Sequence, residues 1–96
     1  MTLDDHIEAT ARALMEAALA AGMTISGDGR VCERDAEALL GYSRRYLRQL
    51  RDEGRGPSAY PIGVGGGRVS YRLVDLAEWI ESTRNNFSEP MADNGG

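Results

Sequence analysis

The sequence predicts an α+β domain, mainly α: a winged helix-turn-helix with an additional N-terminal helix. Three observations lead to it. Between Cys32 and Gly54, two short runs carry apolar residues at helical spacing and are parted by Gly41-Tyr42-Ser43. Between Tyr60 and Leu73, apolar residues recur at every second position on either side of Gly65-Gly66-Gly67. Ahead of both, Thr2 to Ala21 is rich in alanine and repeats Ile7, Ala11, Leu14 and Ala18 on one helical face. The expected organisation is a helix over residues 1–22 for packing or partner contact, a winged domain over 23–84 and a flexible tail over 85–96.

Each element has local support. Thr2 and Asp5 fit a capping pair, with Asp4, Asp5 and Glu8 where the helix dipole favours negative charge. Gly22 supplies a stop. Gly27-Asp28-Gly29 reads as a turn between Ile25 and Val31, a small hairpin or loose link. Cys32 falls at the cap of the next helix, where it is expected to be a partly buried, unreactive thiol. Ala36, Leu39 and Leu40 mark that helix's buried side.

Ser43 suits the cap of the following helix, 44–53, and Gly54 its end. Arg55 to Ala59 contains Gly56 and Pro57 and cannot extend it. In the hairpin, Tyr60, Ile62 and Val64 with Val69, Tyr71 and Leu73 are expected on one apolar face, and Arg68 and Arg72 on the other. Leu73 to Thr83 closes the fold, with Leu76, Trp79 and Ile80 as its stripe and Trp79 as the largest packing residue. Arg84 onward is polar and aperiodic. Phe87 and Met91 are too few to define a contact there.

Winding 44–53 at 3.6 residues per turn places Tyr46, Leu47 and Leu50 on one stripe. Arg44, Arg45, Arg48, Gln49 and Asp52 fall opposite, with Arg51 at the edge. Arginine can fork onto guanine O6 and N7, and glutamine onto adenine N6 and N7, so the pattern fits a helix read out in a DNA major groove. The net charge of −4 conceals a division. Residues 44–72 hold seven arginines against Asp52 and Glu53, a local +5, which leaves −9 on the remainder. Screening over about 8–10 Å lets a basic face coexist with an acidic one. The competing account of such a face is simple solvation.

Other chemistry finds little footing. His6 is the only histidine, no lysine exists, and the single cysteine has no ligand cluster around it. Nucleophilic triads, Schiff bases, P-loops and metal sites therefore lack their residues. Gly63-x-Gly65 is followed by Arg68 and a strand rather than a third glycine and a helix. No enzyme activity, cofactor or metal is expected. One cysteine cannot form an internal disulfide, no apolar run approaches a membrane span, and the acidic start lacks a secretion signal's basic residues. A cytoplasmic protein of one small domain, marginal in core and aided by oligomerisation or binding, is the expectation.

Taken in order, Ala36-x-x-Leu39-Leu40-Gly41-x-Ser43, Leu47-x-x-Leu50, Gly54-x-x-Pro57, Gly67-Arg68-Val69-x-Tyr71-Arg72 and Asp75-Leu76-x-x-Trp79-Ile80 resemble the small winged-helix DNA-binding proteins of the excisionase and MerR-like superfamily. The resemblance covers roughly residues 31–84. It implies a bacterial or phage-encoded, nucleoid-associated factor that binds double-stranded DNA as a transcriptional regulator or an excisionase-type recombination directionality factor. Its implied partners are a second copy, as a homodimer or cooperative oligomer on DNA, and a recombinase, polymerase or phage protein. Recognition helix 44–53 would enter the major groove, and a hairpin wing over 60–72 would meet the backbone or minor groove. Ser43, Arg44, Arg45, Arg48, Gln49, Arg51 and Arg55, with Arg68, Ser70 and Arg72 on the wing, are the implied DNA-binding residues.

The sequence departs from the superfamily at several places. Arg45 and Tyr46 stand where small hydroxyl residues are usual, Cys32 replaces threonine, and the amino-terminal helix and acidic balance have no counterpart. A protein-docking winged helix and a phage packaging module like small terminase subunits stay open beside the first reading.

Overall fold

The computed structural model describes residues 2–43, 45–62 and 68–83. Arg44, the glycine-rich turn 63–67 and the tail from Arg84, with Phe87 and Met91, lie outside the described residues. Helix α1 (Leu3–Ala20) begins with Thr2 and Asp5 in a reciprocal capping box, as the sequence predicts. Strand β1 (Arg30–Cys32), helix α2 (Glu33–Leu40) and helix α3 (Tyr46–Asp52) follow. Strands β2 (Tyr60–Pro61) and β3 (Val69–Arg72) come next, and residues 73–83 are helical, here called α4.

The three strands form one antiparallel sheet in the order β1-β3-β2. The third strand was not legible as such. The segment before Val31 is not a hairpin with Ile25: Ser26 and Arg30 close the turn through Ser26 N–H donating to the Arg30 carbonyl at 2.9 Å. Arg30 to Cys32 then pair along Arg72 to Ser70. The wing register also differs from expectation. Tyr60 lies opposite Ser70 and Pro61 opposite Val69, so Tyr60 shares the outer face with Ser70. Because side chains alternate strictly, a one-residue shift moves a whole set to the other face. Tyr60 and Ile62 are accordingly exposed rather than packed on the helices.

Leu14, Val31, Ala36, Leu47, Tyr71, Leu73, Leu76 and Ala77 form the buried core. Leu14 comes from α1, and Ala18 is fully buried beside it on the same helix. The Thr10 hydroxyl of α1 also donates to the buried Glu81 carboxylate of α4 at 2.8 Å. The leading helix is thus part of the domain's core. Trp79 is half-buried, and Tyr71 is the largest fully buried side chain. The Trp79 indole instead donates to the Tyr42 hydroxyl at 2.8 Å, tying α4 to the turn between α2 and α3. Tyr42 meets Tyr46 edge-on, ring centroids 4.9 Å apart. Leu47 and Leu50 are buried as expected, whereas Tyr46 is 44% exposed.

Candidate nucleic-acid interface

Helix α2 ends at Gly41, whose φ of 72° closes the helix in the left-handed region. The chain turns through Tyr42 and Ser43 into α3. Ser43 is not the cap that the sequence suggests. It stands two residues earlier than the cap position, and its carbonyl accepts the first helical amide, from Tyr46, at 3.1 Å. The cap is Arg45, with φ 76° and no side-chain cap bond. Its own amide donates to the Glu37 carboxylate of α2 at 3.1 Å. A non-glycine residue in this region costs about 1 kcal/mol, and a carboxylate across the turn helps to hold it there. Arg45 is the one described non-glycine residue with a positive φ.

Beyond this cap, the two faces of α3 separate cleanly. Leu47 and Leu50 anchor it, while Arg45, Arg48, Gln49 and Asp52 are exposed. Arg45 and Arg48 also line a shallow concavity between α2 and α3, with Arg34, Glu37 and Tyr42. The Gln49 amide donates to the Glu53 carboxylate at 3.3 Å, and Arg55 meets the same carboxylate at 3.1 Å. Both contacts are solvent-exposed, so exchanging them for another acceptor costs little.

Arg51 departs from the sequence reading. It does not border the open face: its guanidinium donates to Glu33 at 2.9 and 3.4 Å, and the side chain is only 22% exposed. The same carboxylate accepts from the buried Tyr71 hydroxyl at 2.9 Å. Burial opposes the charge on Arg51, but the bonds to Glu33 outweigh it and raise its pKa. Burial first, and then the bond to Glu33, push the Tyr71 hydroxyl well above its usual range. This Arg51–Glu33–Tyr71 cluster joins the end of α3, the start of α2 and β3. Helical winding placed Arg51 at the edge of the open face. It could not reveal that a carboxylate eighteen residues earlier waits on that side.

Just before β3, Arg68 is exposed. Ser70, expected to reach outward to DNA, is only 6% exposed. Its hydroxyl accepts from Arg30 at 3.1 Å and lies 3.5 Å from the Tyr60 carbonyl. Arg72 is half-buried. One of its guanidinium nitrogens comes within 4.0 Å of Asp28, and the guanidinium lies 5.7 Å from the Tyr60 ring centre. The Ser26 hydroxyl and then Arg30 hold Asp28 down at about 2. The meeting of Arg30, Asp28 and Tyr60 has no signal in the sequence because it depends on β1 joining the sheet. Cys32 caps α2 with its sulfur, accepting the Asp35 amide at 3.4 Å, but it is exposed rather than partly buried.

No group of three or more potential metal-ligating side chains occurs among the described residues. No described helix is long and apolar enough to cross a membrane. The family model of the helix-turn-helix domain, which describes small DNA-binding excisionase-like domains, matches residues 34–84. No curated protein and no solved structure matches the chain significantly.

Proposed function

We propose, from the premise that the chain belongs to the helix-turn-helix domain family, that it binds double-stranded DNA sequence-specifically through α3 in the major groove. In this reading it serves as a transcriptional regulator or an excisionase-type directionality factor of bacterial or phage origin. The observation that carries the reading is the division of α3: Leu47 and Leu50 are buried, while Arg45, Arg48 and Gln49 stand in solvent. These residue types have the donor geometry that guanine and adenine edges accept. Arg45 at the helix start, Arg44 next to it in sequence, and Arg55 and Arg68 beyond α3 supply charge for phosphates. One helix of this length reads few base pairs, so two copies on adjacent half-sites are expected.

Selection from a random duplex library tests this directly. A recovered motif of two related half-sites supports it. Enrichment of no sequence, with equal binding to all duplexes, would remove the specific-recognition reading.

A further inference from the structure

We propose that the outer face of the sheet holds a second nucleic-acid contact, a cradle for a backbone phosphate formed by Arg30 and Arg72, which Asp28 occupies in the free protein. This rests on the DNA-binding reading and adds to it a site that lies partly outside the wing. The register puts Arg30 directly across from Arg72, and both guanidinium groups stand within 5.8 Å of the Tyr60 ring centre. Two arginines thus bracket one exposed aromatic face. Stacking on it limits their rotation and leaves their N–H edges to serve an anion.

The Asp28 carboxylate supplies that anion now. It accepts from Arg30 Nε at 2.9 Å and lies 4.0 Å from the Arg72 guanidinium. One carboxylate therefore answers two cations, and the Arg72 contact is long. The Arg72 Nε is buried with no hydrogen-bond partner, so an anion reaches Arg72 through its terminal guanidinium nitrogens, the ones that face Asp28. A phosphodiester offers two unesterified oxygens and can satisfy both guanidinium groups at closer range. Along the same face, Arg68 lies four residues from Arg72, about 13 Å at strand rise. It extends the basic strip along the sheet beyond Val69. Asp28 lies in a turn and is itself 45% exposed, so it can give way without disturbing the core.

The test is Asp28→Asn, which keeps an uncharged acceptor for Ser26 and Arg30, with Asp28→Ser as a second variant that leaves no acceptor at the carboxylate position. Affinity for a random-sequence duplex is titrated across salt concentrations. Freed of its resident carboxylate, the cradle should bind about three- to tenfold more tightly at low salt. The slope of log K against log salt should also steepen by about 0.9 for one added phosphate. Adding Arg30→Ala to Asp28→Asn should return both to the original values. Glu16→Gln makes the same change of charge at an exposed position of α1 and should leave the slope unaltered.

Folded Asp28 variants with unchanged affinity and slope would overturn the cradle, as would an equal gain from Glu16→Gln. A gain for poly-glutamate but not for duplex would assign the arginines to an acidic protein instead. If neither the original protein nor its variants bind any duplex at low salt, the DNA-binding reading falls first and this site with it.

Discussion

Arg51 of α3 donates to Glu33 of α2 at 2.9 Å, and this pair, rather than the helix-turn-helix turn alone, fixes the far end of α3 against the sheet. Both side chains are about one-fifth exposed, and Glu33 also takes the Tyr71 hydroxyl. Removing Arg51 leaves a half-buried carboxylate short of its main partner. Arg51→Ala is therefore expected to destabilise the domain by about 1–3 kcal/mol, a figure discounted for partial exposure. Arg48→Ala, on the exposed face, should stay within about 0.5 kcal/mol of the original. Thermal melts of the two variants decide: equal melting temperatures would show that Arg51 is not structural.

The open face of α3 and the start of β3 predict different binding defects. Arg48→Ala should lose about 1–3 kcal/mol on the selected site and little on random duplex, because a base-reading contact discriminates. Arg68→Ala should weaken both equally and flatten the salt slope by about 0.9, because a phosphate contact does not. Salt titrations on specific and random duplexes separate them. A uniform loss from Arg48→Ala would move that residue to the backbone.

Arg45 combines a left-handed backbone with an exposed side chain. Arg45→Gly should relieve the backbone cost of about 1 kcal/mol while removing an exposed guanidinium from the proposed DNA-binding face. The expected outcome is a more stable and weaker-binding protein. Arg45→Ala should bind as weakly without the stability gain. Denaturant melts and duplex titrations of both variants check this, and a gain from Ala equal to that from Gly would contradict the strain.

Tyr71 sets an alkaline limit. Its folded-state pKa is raised, so the neutral hydroxyl favours folding fully below the unfolded value of about 10. That contribution should be lost as pH rises past 10, where the unfolded chain ionises and the folded one resists. Tyr71→Phe should cost about 1 kcal/mol at neutral pH and flatten the decline above pH 10. Melts between pH 8 and pH 11 provide the comparison.

Helix α1 is expected to be inseparable from the fold. Deleting residues 1–22 removes Leu14 and Ala18 from the core and strips Thr10 from Glu81. Loss of buried leucine alone costs about 2–5 kcal/mol, a large share of what a small domain possesses. The truncated chain should show no cooperative melt by circular dichroism. A folded, DNA-binding remainder would mean that α1 is an accessory.

What was legible in the sequence depended on local period. The capping box of Thr2 and Asp5, the burial of Leu47 and Leu50, the stops at Gly22, Gly41 and Gly54 and the α4 span over 73–83 each follow from a few neighbouring residues. The exposed set Arg45, Arg48 and Gln49 followed from the same winding. Three misplacements share another origin. Arg51 turned inward to Glu33, Ser70 was covered by Arg30 and the Tyr60 strand, and Tyr60 itself changed face. Each depends on a partner eighteen, forty or ten residues away.

The sequence by itself determined that two short helices meet at Gly41, that the second exposes guanidinium and amide groups, and that a hairpin follows. Helical and strand periods come from backbone geometry and act within a few residues. Only the tertiary structure decided which arginines remain open to a ligand and which are occupied by Glu33 or Asp28. That choice turns on strand register and on β1 joining the sheet, and register is set by packing between distant segments.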